Sequence, residues 1–149
     1  MKKLCLVALS ALTVLSLAGC GKKSVEDTLK DKKLEVSCKD GGCSVNPSDD
    51  SYFFSYTIID NKDKFSFVKI DLTENLSINY SPLDDSSHIF SDEGFCFVSK
   101  GKPSGDCGDD ATEIAKDWKE TYKTTLSDLE IEEKELLTFF KDQFNKAFK

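Results

Sequence analysis

Six cysteines, one histidine and a surplus of carboxylates are the residues of this 149-residue chain that could carry chemistry. Cys5 and Cys20 belong to an apolar leading run and are taken up below. The remaining four are Cys38, Cys43, Cys96 and Cys107, spaced with four and ten residues between members of each near pair. Zinc sites use C-x₂₋₄-C pairs, and these spacings do not supply that pattern twice over. Disulfides suit them better. Four cysteines permit three pairings, and Cys38–Cys43 with Cys96–Cys107 are favoured because each closes a short segment rich in turn residues. Lys39-Asp40-Gly41-Gly42 reverses the chain inside the first, and Gly101, Pro103, Gly105 and Asp106 bend it inside the second. No C-x-x-C occurs, so thiol exchange is not expected of them.

His88 stands beside Ser86 and Ser87. A Ser–His pair is conceivable there, but adjacent strand residues point to opposite faces and no G-x-S-x-G turn exists to expose a nucleophile. A surface histidine is the expectation. Acids cluster at Asp49-Asp50, Asp84-Asp85, Asp92-Glu93 and between Asp106 and Asp110. None matches the loop D-x-[DN]-x-[DN]-G-x₅-E, so no metal and no cofactor are expected, and the acids read as turn and capping residues. Paired carboxylates could serve a glycosidase, whose activity depends on a separation in space that sequence does not reveal.

The elements that position these groups change character once along the chain. From residue 34 to residue 99 the period is two. Residues 34–45 can form a hairpin around the glycine pair. Tyr52, Phe54, Tyr56 and Ile58 fall on one face of a strand, and Phe53, Ser55, Thr57 and Ile59 on the other. Residues 60–64 are turn material, and residues 65–72 resume the β pattern. Leu76, Ile78 and Tyr80 alternate with Ser77 and Asn79 until Ser81-Pro82. Residues 88–90 and 95–98 flank the four-residue connection Ser91-Asp92-Glu93-Gly94.

Beyond residue 110 the period becomes 3.6. Asp110 with Glu113 suggests a capping box, and Ala111, Ile114, Ala115, Trp118, Tyr122 and Leu126 form one apolar stripe. Ser127-Asp128 interrupts it. A second helix is expected near Glu132, acidic at its start and lysine-rich at its end, as the helix dipole favours. Leu136, Leu137, Phe140, Phe144, Ala147 and Phe148 give it an apolar face. The expected fold is α+β, an antiparallel β-meander of about five or six strands packed against two C-terminal helices. One face of that sheet buries against the helices. If the other is open, an aromatic patch, with Tyr52, Phe54 and Tyr56 as candidates, becomes a contact surface. The alternative is cover from a loop over residues 84–90 or from the N-terminal hairpin.

All 20 basic residues are lysine, against 27 acids, for a formal charge of −7. That sign, and the absence of a basic stripe, excludes nucleic acid as a natural partner. Lack of arginine also removes the side chain best suited to bidentate phosphate or carboxylate recognition.

The leading segment supplies an address. Lys2 and Lys3 precede an apolar stretch over residues 4–18, and Leu17-Ala18-Gly19 leads directly into Cys20. This arrangement resembles the lipobox signal peptide of bacterial lipoproteins, over the first twenty residues only. A 15-residue helix spans roughly 22 Å, short of a hydrocarbon core of about 30 Å, so a transmembrane anchor fits less well. The resemblance implies cleavage of residues 1–19, diacylglyceryl transfer to Cys20, and stable attachment through membrane lipid by two acyl chains. About 130 residues would then remain, carrying a charge of about −9. Residues 20–33 read as a lipidated N-terminus and polar tether, although Ser24 followed by Asp27 could cap one helical turn, and residues 34–149 as one domain. Gly21 is not the aspartate that retains lipoproteins at an inner membrane. The implied location is therefore extracytoplasmic, on the cell membrane or on the outer membrane of a two-membrane host. An oxidising compartment also suits the cystines. For the mature domain no family resemblance is apparent. A non-catalytic binding or interaction module, with an unidentified protein or small molecule as partner, is the leading expectation. An exported hydrolase using paired acids and an immunity or inhibitor lipoprotein are the alternatives.

Overall fold

The computed structural model describes residues 21–47 and 51–149. The leading segment with Cys20, and the Asp49-Asp50 pair, lie outside the described residues. Eight strands run β1 (Glu35–Lys39), β2 (Gly42–Asn46), β3 (Phe53–Ile59), β4 (Lys62–Asp71), β5 (Leu76–Ser81), β6 (Ser86–Ser91), β7 (Gly94–Ser99) and β8 (Lys102–Gly105). Each pairs antiparallel with the next, giving one open sheet in sequence order. Three helices complete the fold: α1 (Val25–Asp31), α2 (Ala111–Asp128) and α3 (Glu133–Phe148). The class is α+β, with more strands than the five or six expected.

Turn chemistry explains the surplus. The β1–β2, β3–β4 and β7–β8 hairpins close on two residues each, Asp40-Gly41, Asp60-Asn61 and Lys100-Gly101, all with positive φ. That is the type I′ pattern, whose twist matches the strands it joins. The turn expected over residues 60–64 is thus only two residues long, and β4 starts at Lys62. Residues 102–105, read as bends because of Pro103 and Gly105, form an edge strand instead. An edge tolerates proline because no further strand needs the missing N–H. At Gly105 (φ +97°) a Cβ would stand 2.7 Å from the Phe95 carbonyl oxygen, so a side chain there would collide with β7.

All three helices lie on one side. Helix α3 covers β1, β2 and β3, while α2 covers β5 to β8 and α1 packs on α3. The stripe read from sequence is the one buried: Ala111, Ala115, Trp118, Tyr122 and Leu126 of α2, and Leu136, Phe140 and Phe144 of α3. They meet Phe54, Tyr56, Phe65, Phe67, Ile78, Tyr80, Ile89 and Val98 of the sheet. Trp118 stacks on Phe67 with centroids 4.4 Å apart, and its indole N–H donates to the Phe67 carbonyl at 3.0 Å. One side chain thereby anchors the helix to the sheet centre through both ring and donor.

The expected cap is absent at one helix, and a cap that was not expected forms at the other. Asp110 occupies the N-cap of α2, yet its side chain makes no capping bond, so the Asp110–Glu113 box does not form. Glu132 and Glu135 form a reciprocal box at α3.

The expected tether is largely absorbed into the domain. Ser24 caps α1 by accepting from the Asp27 N–H at 3.1 Å, and Leu29 is fully buried. Lys22 reaches Glu135 of α3 at 2.7 Å. The packed unit therefore begins near residue 22 rather than at 34.

Candidate functional site

Alternation along each strand divides the sheet residues into two sets. The aromatic candidates Phe54 and Tyr56 belong to the covered set: Phe54 is 0% and Tyr56 2% exposed, under α2 and α3. Tyr52 is half-buried and packs edge-on to Phe54 and against Phe67. The surface expected at Tyr52, Phe54 and Tyr56 is thus core. The helices chose that side because its partners on β4, Phe65 and Phe67, extend it into a continuous aromatic layer. The proposed cover for the other side is not there either. Residues 86–90 belong to β6, and the N-terminal hairpin is β1–β2, both within the sheet. Among the described residues, no helix packs on the second face, although Val68 (8% exposed) and Ser86 (2% exposed) on it are buried.

That open face is built in rows across the strands. Its central row is serine. Ser37 faces Ser44, Ser44 faces Ser55, and Ser55 faces Ser66. The Phe67–Tyr80 pair sets Ser66 beside Ser81 in register. Ser81 faces Ser86, and Ser86 faces Ser99. Seven successive strands thus contribute one hydroxyl each, at the ~4.8 Å strand spacing. Ser86 donates to Asp84 Oδ1 at 2.7 Å. Ser37, Ser44, Ser55, Ser66 and Ser99 have no side-chain hydrogen bond among the described residues.

On one side of the serine row lies a mixed row: Phe53 and Val68 pair, Val68 meets Asn79, Asn79 meets His88, and His88 meets Phe97. His88 stacks between Phe95 (5.8 Å) and Phe97 (5.0 Å), and Phe95 touches Phe90 at 4.9 Å. Phe90 and Phe95 remain 51% and 42% exposed. Here Asn79 Oδ1 is buried without a hydrogen-bond partner, a state few native polar atoms occupy. On the other side of the serines stand Lys39, Lys62 and Lys64, with Lys102 opposite Ser99 at the β8 end. In a chain of net charge −7 these four cations on one face are a local reversal of sign.

Asp84 leans onto the serine row. Partial burial pushes its carboxyl up, but hydroxyls of Ser86 and Ser81, with Lys64 nearby, outweigh that and hold it below the usual carboxylate range. Ser86 and His88 share the face without forming a pair, since Ser86 is engaged by Asp84 and His88 by the phenyl rings. Ser87 points to the helix side.

The cystines form as favoured. Cys38–Cys43 and Cys96–Cys107 are bonded, the first across the β1–β2 hairpin and the second between β7 and the segment after β8. They brace the two margins of the sheet. Sequence reading missed the serine row although each strand shows its member (FFSYT, KFSFV, NYS, FVS). The signal is one serine per strand, and it becomes a row only once register is known. Compared with protein-family models, with curated proteins and with solved structures, the chain finds no match.

Proposed function

We propose that this chain is a bacterial lipoprotein, acylated on Cys20 and displayed outside the cytoplasm, whose open sheet face is a non-catalytic contact surface for an anionic glycan of the cell envelope. The address is supported by Lys2-Lys3, the apolar residues 4–18 and Leu17-Ala18-Gly19-Cys20. The two disulfides suit an oxidising compartment. No helix among the described residues is long and apolar enough to cross a membrane, so attachment falls to the lipid.

One observation carries the binding reading: seven aligned serines flanked by exposed rings on one side and lysines on the other. Hydroxyls both donate and accept, matching a polyhydroxylated chain. Half-exposed phenyl rings offer flat apolar faces to sugar rings, and ammonium groups attract acidic substituents. With α1 docked, only residues 21–23 separate Cys20 from the Ser24 cap, a reach of about 10 Å. The domain would sit directly above the headgroups.

Two measurements test this. Intact-mass analysis of membrane-extracted protein should find residue 20 first in the chain and diacylated; an unmodified Cys20 removes the address. Affinity electrophoresis of the intact chain should show retardation by alginate, an acidic glycan, exceeding that by neutral dextran or by polyglutamate. Phe90→Ala with Phe95→Ala should abolish the retardation. Equal retardation by polyglutamate, or an unaffected double variant, would defeat the glycan reading.

A further inference from the structure

A second candidate site lies on the opposite, helix-covered side, at the far end of the sheet from α3. A cavity of about 350 Å³ opens between the start of α2 and the turns that join β5 to β6 and β7 to β8. The two turns are tied by the Lys100 N–H, which donates to the Asp85 carbonyl at 3.1 Å. The Tyr80 ring, Val98 and Ala115 form apolar walls.

The polar groups of this cavity are unusual in two ways. Ser87 lines it, is 3% exposed, and its side chain makes no hydrogen bond among the described residues. A hydroxyl on a cavity floor that makes no bond within the chain is free to donate to or accept from an occupant. The second feature is charge. Helix α2 turns Thr112, Ala115, Lys116 and Lys119 to the cavity, and its acids Glu113, Asp117 and Glu120 are outside the lining. Lys119 is satisfied by Asp85 at 2.6 Å, and it keeps that carboxyl below the ordinary range. Lys100 and Lys116 have no ion-pair partner among the described residues. Two lysines without an ion-pair partner thus border a cavity with apolar walls in an acidic protein.

We infer that this cavity is a binding site for a small organic carboxylate with an apolar body, its charge held by Lys100 and Lys116 and its body seated against Tyr80, Val98 and Ala115 above the Ser87 hydroxyl. The volume lies near the lower bound for ligand pockets, so the body is about one ring or a short acyl chain. Lysine acts as a point charge without the geometric demand of arginine, and the apolar walls exclude a bare phosphate as the best fit. This site is independent of the open face, and neither requires the other.

The test uses the full chain, isotope-labelled for NMR titration, with benzoate and hexanoate as probes. Benzyl alcohol serves as the uncharged control and inorganic phosphate as the body-less one. At least one carboxylate should saturate shifts at Val98 and Ala115, with both controls tenfold weaker or worse. Lys100→Glu with Lys116→Glu, two exposed positions, should weaken that carboxylate at least tenfold while leaving the remaining spectrum in place. Ser87→Val, which fills the floor, should also remove binding. If phosphate or benzyl alcohol matches the carboxylates, if the charge reversal changes nothing, or if neither carboxylate saturates, the inference is wrong. Undiminished binding to Ser87→Val in a folded chain would likewise overturn the placement.

Discussion

Strand β3 carries two surfaces in seven residues. Phe54 and Tyr56 face the helices and are sealed, whereas Phe53, Ser55 and Thr57 face outward with no helix above them. The backbone is common to both, so the difference arises from what each set meets across the sheet. Inward rows join ring to ring, Phe54 to Phe67 and Tyr56 to Phe65, giving a layer large enough to hold two helices by burial alone. The central outward row joins serine to serine, which offers little apolar area and much hydrogen-bonding capacity. A sheet face is covered according to the sum over its rows, not according to the hydrophobicity of any one strand.

The sharpest way to break this comparison is to truncate one ring on each side. Phe67→Ala removes a fully buried ring that touches Phe54, Trp118 and Tyr122, and should destabilise by about 3–5 kcal/mol. Phe95→Ala on the open face should change stability by less than about 1 kcal/mol. Urea-unfolding midpoints of the two variants check both, and similar losses would mean that the open face is packed after all.

Next in size come the cystines, whose sulfurs staple the sheet margins. Replacing Cys96 and Cys107 together by serine should lower stability by about 2–4 kcal/mol. The Cys38–Cys43 double variant should lose less, since it closes a separation of 5 residues rather than 11. Thermal unfolding with and without reductant measures the order, and a reversal would show that the β1–β2 hairpin matters more to the fold than the β8 edge.

The smallest effect concerns a polar tie between sheet and helix. Lys141 of α3 and the Tyr56 hydroxyl hold the Asp63 carboxyl below its ordinary range. The folded chain therefore takes up this proton less readily than the unfolded chain. The resulting stabilisation is present above the unfolded value, about pH 4, and is lost as pH falls through the lower folded value. Both charged partners are more than a third exposed, which limits the contribution to under about 1 kcal/mol. Asp63→Asn should flatten the acid limb of the stability profile in that window; an unchanged limb would place the acid sensitivity elsewhere.

Much of this was legible in the chain itself. The period change near residue 110, the helical stripe from Ala111 to Leu126 and the two pairings of neighbouring cysteines all follow from local spacing. What was not legible depends on relations between strands. Alternation separates Phe54 from Phe53, but both sets contain aromatics, so the covered side is decided only when β4 and β5 are in register. The serine row was hidden for the same reason. Lys102-Pro103-Ser104-Gly105 has the composition of a loop and is a strand only because it lies at the edge. Helix α1 has two apolar residues in its seven, too few to announce that Leu29 would be fully buried on α3.

The order of the elements has a consequence for how this chain acquires its shape. Every strand pairs with its sequence neighbour, so the sheet can zip from hairpin to hairpin with small loop-closure penalties, a topology associated with rapid folding. Yet the segments that shield the aromatic side, residues 111–148, follow all eight strands and so emerge after them from any machine that delivers the polypeptide amino end first. Until they arrive, Phe54, Phe65 and Phe67 stand bare to water, and the nascent meander is at its most vulnerable to clumping with its own copies.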